Sequence, residues 1–484
     1  MKRYSKSARS IAVLSSFVLL QACQPATEPA ATETVQHQTA VSAVQALPNT
    51  ALTEPVSTAL YLLTSKTPYQ PLQDWQQYSL PPEGFNLVSV EHVARHGARY
   101  LSSRGDDDLM LQLLQLANHE QALTPLGQAL MQLIERLHQA HLPNHLTTNY
   151  GAISGLGKQE QQGLAARLIA RHPQLFSYAV QQQQRIAVLH SGRERADQSG
   201  EAFIAGLIAL KPDISPLVDT AKADEATLYF YKAEGSEAFE RYRESDPRLL
   251  AVMQQLENQP RVKEAAEAML ARFFSPVFMA KLTQGDIALT LPDDDDAIRN
   301  PVDAANVLYS LYSIASNLAV EGEFDFSPFL LAEHLLPLAE LDDADSFYGR
   351  GPGFVGEDIT YKLAGRLVQD MLDKAENPNG YVATFRFTHA QVLMPLAAYL
   401  GIAGGSESLP ENVVYSYQNS AWRSGKVSPM SANVQWDVYR NADNLTLIRM
   451  LHHEQETRLK ADCQAYTGTQ YFYSTAELKR CLLK

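Results

Sequence analysis

The sequence predicts an α/β fold, with a sheet domain covered by helices on both faces and a mostly helical insertion. Three observations point there. Short apolar strand patterns recur at 85–90, 185–190 and 381–387. Amphipathic helical patterns follow each of them. Between about 205 and 350 the chain is helical in pattern, with few strand signals. Strand–helix alternation, then a helical block, then strand and helix again is the order of a sheet domain interrupted by an inserted one. The expected bounds are 56–204 and 350–484 for the discontinuous sheet domain and 205–349 for the insertion, or cap.

The bulk numbers agree with this size of fold. At 484 residues the chain fits about two or three domains. Apolar residues make up 45% and charged residues 19%, so a sizeable core is available. The formal net charge of −14 argues against a general nucleic-acid binder, which carries a basic face. It also means that any anionic ligand must be held by local positive charge against the global field.

Residues 1–23 are not expected to be part of the fold. Lys2 and Arg3 precede the apolar run IAVLSSFVLL, which is too short to span a bilayer, and LQAC places small Ala22 before Cys23. The stretch resembles the lipobox of bacterial lipoprotein signals. That resemblance implies a lipid anchor on Cys23 as the first mature residue. Gln24 then implies sorting to the outer membrane of a Gram-negative bacterium, on its periplasmic or cell-surface side. An ordinary secretory signal ending near a cysteine is the other reading. Residues 24–55, rich in Ala, Thr, Glu, Pro, Gln and Val without periodicity, read as a flexible tether. Two further cysteines, Cys463 and Cys481, suit one disulfide in an exported chain, although spacing alone also allows two free thiols.

The elements follow in order. FNLVSV alternates as a buried strand. Helical patterns cover 107–120 and 124–140, the second with Thr124 as cap and Pro125 as first helical residue. Further helices are expected at 155–172 and from Ser199 to Leu210, around the strand RIAVLH. Beyond the insertion, 357–375 reads as a strong helix, 381–387 as a third strand, and 389–402 as the helix after it.

Chemistry-bearing residues gather where these strands stop. Open α/β sheets bind ligands beyond the carboxyl ends of their strands. The first strand runs into Arg95-His96-Gly97-Ala98-Arg99, the second into HSGRERADQSGEAF with Arg193 and Arg195, and the third into Thr388-His389-Ala390-Gln391. Two histidines and several arginines, with no cysteine, suit a phosphate or sulfate group. The small-molecule partner expected here is a phosphate ester.

RHGAR, ERADQSGEAF and THAQ, in that order, resemble the histidine acid phosphatases, branch 2 of the histidine phosphatase superfamily. The phytase-like multiple inositol polyphosphate phosphatases are the nearest branch. FYGRGPG at 347–353 and SANVQWDVYR at 431–440 echo the same family, and the resemblance covers about 60–484. It implies a phosphoglycerate-mutase-like sheet domain and a phosphomonoesterase, without a metal or other cofactor. It makes His96 the nucleophile and places Arg95, Arg99, Arg195 and His389 on the phosphoryl oxygens. Gly97 is expected to let the backbone approach the phosphate. Arg193 rivals Arg195 at the same strand end, and Lys158 is a weaker substrate-binding candidate that also fits a helix surface.

One position departs from the family pattern. Glu or Asp is the family's proton donor where this chain has Gln391, and an amide gives up no proton at working pH. Loss of a general acid costs about 10²–10⁴-fold on a poor leaving group. Asp106, Asp107, Asp108 and Glu411 are the substitutes considered. Slow turnover, a preference for better leaving groups, or a phosphate-ester-binding lipoprotein without turnover are the other outcomes. A phosphomutase or phosphotransferase fits less well with an export signal. His138, His141 and His145 recur at near-helical spacing, but Pro143 is expected to break their helix and no HExxH pattern is present, so no metal site is assigned. The run Asp293–Asp296 lacks the glycine and terminal glutamate of a calcium loop. Asp106–Asp108 are expected to open a helix, where negative charge suits the dipole.

Overall fold

Strand β1 (Asn86–Arg95) is the strand on which the sheet turns. Parallel to it on one side lie β6 (Tyr381–Thr388), β2 (Arg185–His190) and the short β3 (Lys222–Ala223). On the other side lie β7 (Asn433–Arg440), β8 (Thr446–His452) and β10 (Phe472–Ser474), each antiparallel to the strand before it in the sheet. The order is β10-β8-β7-β1-β6-β2-β3, with β9 (Gln455–Glu456) on β8 and a separate hairpin of β4 (Leu289–Thr290) and β5 (Ala297–Ile298). This computed structural model describes residues 62–292 and 296–483. The expected signal, the tether, Cys23 and residues 293–295 lie outside the described residues.

The three strands read from the sequence form the parallel centre, and the antiparallel half was not read. Its polarity explains why. β7 carries Gln435 and Asp437, and both are buried. Arg449 of β8 donates to Asp437 at 2.7 Å, Gln435 donates to the same carboxylate at 2.6 Å, and Arg171 donates to Gln435 at 3.1 Å. A strand whose inward positions hold a satisfied polar network does not show apolar alternation.

Helices cover both faces. On one face α3 (Gly155–Arg171), α4 (Pro173–Gln182) and α5 (Glu194–Leu210) bury Leu164, Phe176 and Phe203 against Val90, Ile186 and Phe385. On the other face, helices 365–376 and 390–400 pack with 228–256 against Val93, Trp436 and Ile448. A third core joins α1 (Gly105–His119) and α2 (Pro125–Leu146) to α6 (Pro260–Leu270), α7 (Pro301–Ala315) and α8 (Ala332–Arg350). Helices 105–146, expected with the sheet domain, thus share their apolar core with the second half of the insertion.

Two helix expectations are corrected. The helix expected over 357–375 begins only at Gly365, where α9 (Gly365–Glu376) starts. Asp358 instead closes a turn, accepting from the N–H groups of Tyr361 and Lys362. Pro143 does not break α2, which runs on to Leu146, because a proline in the last turn removes only one hydrogen bond. Thr124 caps α2 as expected, accepting from Gly127 N–H. Asp106–Asp108 fill the first turn of α1. Cys463 and Cys481 form a disulfide.

Candidate active site

The carboxyl ends of β1, β6 and β2 stand side by side. Arg95 is in register with Thr388, and His190 with Phe387. His96 follows β1 directly, its N–H bonded to Thr388 carbonyl at 2.8 Å and its carbonyl accepting from Ser431 N–H at 3.1 Å. His389 follows β6 and occupies the N-cap position of α10 (Ala390–Leu400), the helix N-terminus its place in the sequence suggests, without a side-chain capping bond. The His96 and His389 rings lie 5.5 Å apart, and both are buried.

His96 has a defined tautomer. Its Nδ1 lies 2.9 Å from Gly97 carbonyl oxygen. A carbonyl only accepts, so Nδ1 carries the hydrogen and Nε2 the lone pair. Burial, then the charges of Arg95 and Arg195, then His389 and Arg99, hold its pKa well below the ordinary value of 6.5. The imidazole is therefore neutral, which is the nucleophilic form. His389 is shifted the same way by burial and then by Arg195, Arg95, Arg193 and Arg99.

The arginines are built in by backbone. Arg95 is buried and donates through Nη1 to the carbonyls of Ser65 and Ser428 at 2.5 and 2.6 Å, while its Nε has no hydrogen-bond partner. Arg99 donates to Tyr100 carbonyl at 2.7 Å. Burial pulls Arg95 and Arg99 downward in pKa, aided by the charges of Arg99 and Arg195 on the first and of Arg195 on the second, but a guanidinium stays charged at any working pH. Arg195 sits in the first turn of α5. Its carbonyl accepts from Ser199 Oγ at 2.7 Å, and Ser199 Oγ accepts from Gly97 N–H at 3.1 Å. That chain ties α5 to the histidine loop.

Gly97 serves close packing. A Cβ at Gly97 would meet Gly157 carbonyl oxygen at 2.5 Å and Gly157 Cα at 2.7 Å. Its N–H is already engaged by Ser199. Two glycines thus let the loop lie against the first turn of α3. Buried Glu160 then holds Ala98 N–H at 2.8 Å, and Gln161 holds Arg95 carbonyl at 3.0 Å.

The remaining candidates separate. Arg193 is exposed and covers the Tyr229 ring at 4.5 Å, and that ring meets His389 edge-on at 5.6 Å. Lys158 is exposed on the first turn of α3, where its backbone N–H donates to Ser154 carbonyl at 3.0 Å. Gln391 is half-buried in the first turn of α10, two residues from His389. Asp106 accepts from Ser310 Oγ at 2.6 Å, and its charge acts on Arg99. Asp107 is buried under His138, Asp108 pairs with Arg104 at 3.0 Å, and Glu411 is exposed.

Ser191 and Tyr229 were missed. Ser191 Oγ is 2.7 Å from His389 Nε2, whereas His389 Nδ1 is buried with no hydrogen-bond partner. Ser191 lies inside the arginine motif, beside Gly192, and could have been weighed. Tyr229 comes from the insertion and carries no sequence signal.

A neutral imidazole among guanidinium groups, at the carboxyl edge of a doubly covered α/β sheet, is a centre for phosphoryl groups. Residues 86–453 match the histidine phosphatase superfamily (branch 2). The chain belongs to that family and is a phosphatase. It is 24% identical over 334 residues to multiple inositol polyphosphate phosphatase 1 of Gallus gallus, spanning 64% of this chain and 67% of that one. The Homo sapiens protein of the same name is 23% identical over 308 residues, spanning 60% and 57%. Among solved structures, the Bifidobacterium longum multiple inositol polyphosphate phosphatase in complex with phosphate superposes at a TM-score of 0.81. It shares 29% identity and covers 87% of this chain and 97% of its own. Its complex with inositol hexasulfate gives 0.80 and 28%, with the same coverage. The phytase from D. castellii shares the fold at a TM-score of 0.58 and 13% identity, over 90% of this chain and 89% of its own.

Proposed function

We propose that this phosphatase hydrolyses phosphate monoesters through a phosphohistidine on His96, with inositol polyphosphates such as phytate as its substrate class. The observation that carries the reading is the neutral His96, with its Nε2 lone pair free to attack beside Arg95, Arg99 and Arg195. The substrate class is supported by the likeness to proteins named for inositol polyphosphates and by the relative solved with inositol hexasulfate.

In this reading Nε2 attacks phosphorus, the N–P bond forms, and the bond to the leaving oxygen breaks with its electron pair. The guanidinium groups neutralise charge that spreads over the equatorial oxygens. Ser191 O–H donates to His389 Nε2, which leaves Nδ1–H as a donor to the phosphoryl group. Water then attacks phosphorus, the N–P pair returns to Nε2, and inorganic phosphate leaves. Gln391 cannot protonate the leaving alkoxide, so that proton comes from another group or from water. No cofactor enters the scheme.

The test is phosphate release from phytate and from an aryl phosphate, with His96→Ala as control. No release from either, across pH 3 to 8, would sink the reading. Gln391 favours one rival, a phosphate-ester-binding protein with impaired turnover. Tight phytate binding without product would establish it.

Residues 1–23 support a further proposal, lipid anchoring at Cys23 on the outer membrane. Labelled fatty acid should enter the wild-type chain and not Cys23→Ser. Equal labelling of both would refute it.

A further inference from the structure

Between α1 and α2 lies a cluster of histidines and aspartates that the reaction above does not use. Asp107 is fully buried in the first turn of α1. His138 Nδ1 approaches Asp107 Oδ2 at 3.1 Å and Asp108 Oδ1 at 3.6 Å. His145 Nε2 lies 3.7 Å from Asp107 Oδ2. That nitrogen is buried and has no hydrogen-bond partner, and its side chain is only 8% exposed. One ligand atom from each of Asp107, Asp108, His138 and His145 lies within 4.8 Å of every other.

Helix geometry explains the convergence. Residues seven apart lie two turns apart on one helix face. His138 and His145 share such a face only because α2 continues through Pro143. The expectation of no metal rested on that helix ending early and on the lack of an HExxH pattern. His141, between them, bonds its Nδ1 to Leu137 carbonyl at 3.0 Å and stacks on His145 at 5.8 Å, which orients that ring. A groove lined by Leu111, Gln115, Gln132 and Glu135 reaches His138 and offers entry.

We propose that Asp107, Asp108, His138 and His145 bind one divalent ion of the zinc class, which ties α1 to α2. Ligand bonds of about 2.0–2.1 Å in a tetrahedron set neighbouring ligand atoms about 3.3 Å apart. Three of the six separations, 3.1, 3.6 and 3.7 Å, bracket that value, and all six are within 4.8 Å. Two imidazoles and two carboxylates suit zinc better than calcium or magnesium, which prefer oxygen alone. Four protein ligands close the coordination shell, so the role is structural.

The experiment uses the purified chain, stripped by a chelator and desalted, without phosphate ester present. Zn²⁺ is titrated calorimetrically, and Co²⁺ replaces it for visible absorption. One saturable equivalent, four-coordinate Co²⁺ bands and a raised thermal midpoint are expected. His145→Gln should weaken Zn²⁺ binding by at least about 10²-fold and abolish the bands. Asp107→Asn should do the same, and far-UV circular dichroism shows whether each variant folds. Should Asp107→Asn fail to fold, His138→Asn together with His145→Gln carries the test. No saturable binding by the wild type, or unchanged binding and spectra in a folded His145→Gln, would overturn the proposal.

Discussion

His96 Nδ1 donates to the carbonyl oxygen of Gly97, its own neighbour, at 2.9 Å. That one bond fixes which ring nitrogen can attack. Burial and the surrounding cations keep the ring neutral well below pH 6.5. The acid limb of kcat/KM reports the free enzyme. It should therefore show no loss of nucleophile near pH 6.5. A titration near that pH, assigned to the His96 ring by nuclear magnetic resonance, would contradict the assigned state.

Buried neutral histidines also shape stability. Burial lowers His92 to about 3 and His452 to about 4. The unfolded chain takes up these protons as pH falls through about 6.5, and the folded chain does not until pH 4 to 3. The unfolded state then binds more protons, so stability falls with falling pH across that window. Thermal midpoints measured from pH 7 to pH 4 should drop, and His452→Asn should flatten the drop.

Gly97→Ala tests the packing of the histidine loop. Its methyl would meet backbone atoms of Gly157 under 3.0 Å away, and no side chain can swing aside. A loss of about 1–3 kcal/mol in stability is expected, together with reduced turnover. Chemical denaturation and phosphate release measure the two separately. A fully stable, fully active variant would show that the close approach is dispensable.

Gln391→Glu tests the proton supply. The variant should speed alkyl phosphate hydrolysis by about 10²-fold or more if no other donor acts. Aryl phosphates, with better leaving groups, should gain much less. An unchanged alkyl rate would assign the proton to another group, and Asp106, beside Arg99, is the first to vary.

The parallel centre of the sheet and its three reactive ends were legible, because apolar runs end abruptly in charged motifs there. The antiparallel half was hidden by Gln435 and Asp437, which are inward-facing but polar. Arg95 is held by the carbonyls of Ser65 and Ser428, and backbone acceptors leave no residue-type signature. Gly97 was legible as important, but its packing role was not, since its neighbour Gly157 is 60 residues away in sequence. Tyr229 reaches His389 from the insertion, a contact that only the folded chain can make.

The central claim is the covalent step on His96. Rapid quenching of the enzyme with phytate or an aryl phosphate, followed by mass spectrometry under alkaline conditions, tests it directly. The account predicts an acid-labile phosphoryl group on the peptide containing His96, attached at Nε2 and absent from His96→Ala. A phosphoryl group on another residue, or turnover by His96→Ala at the wild-type rate, would contradict it.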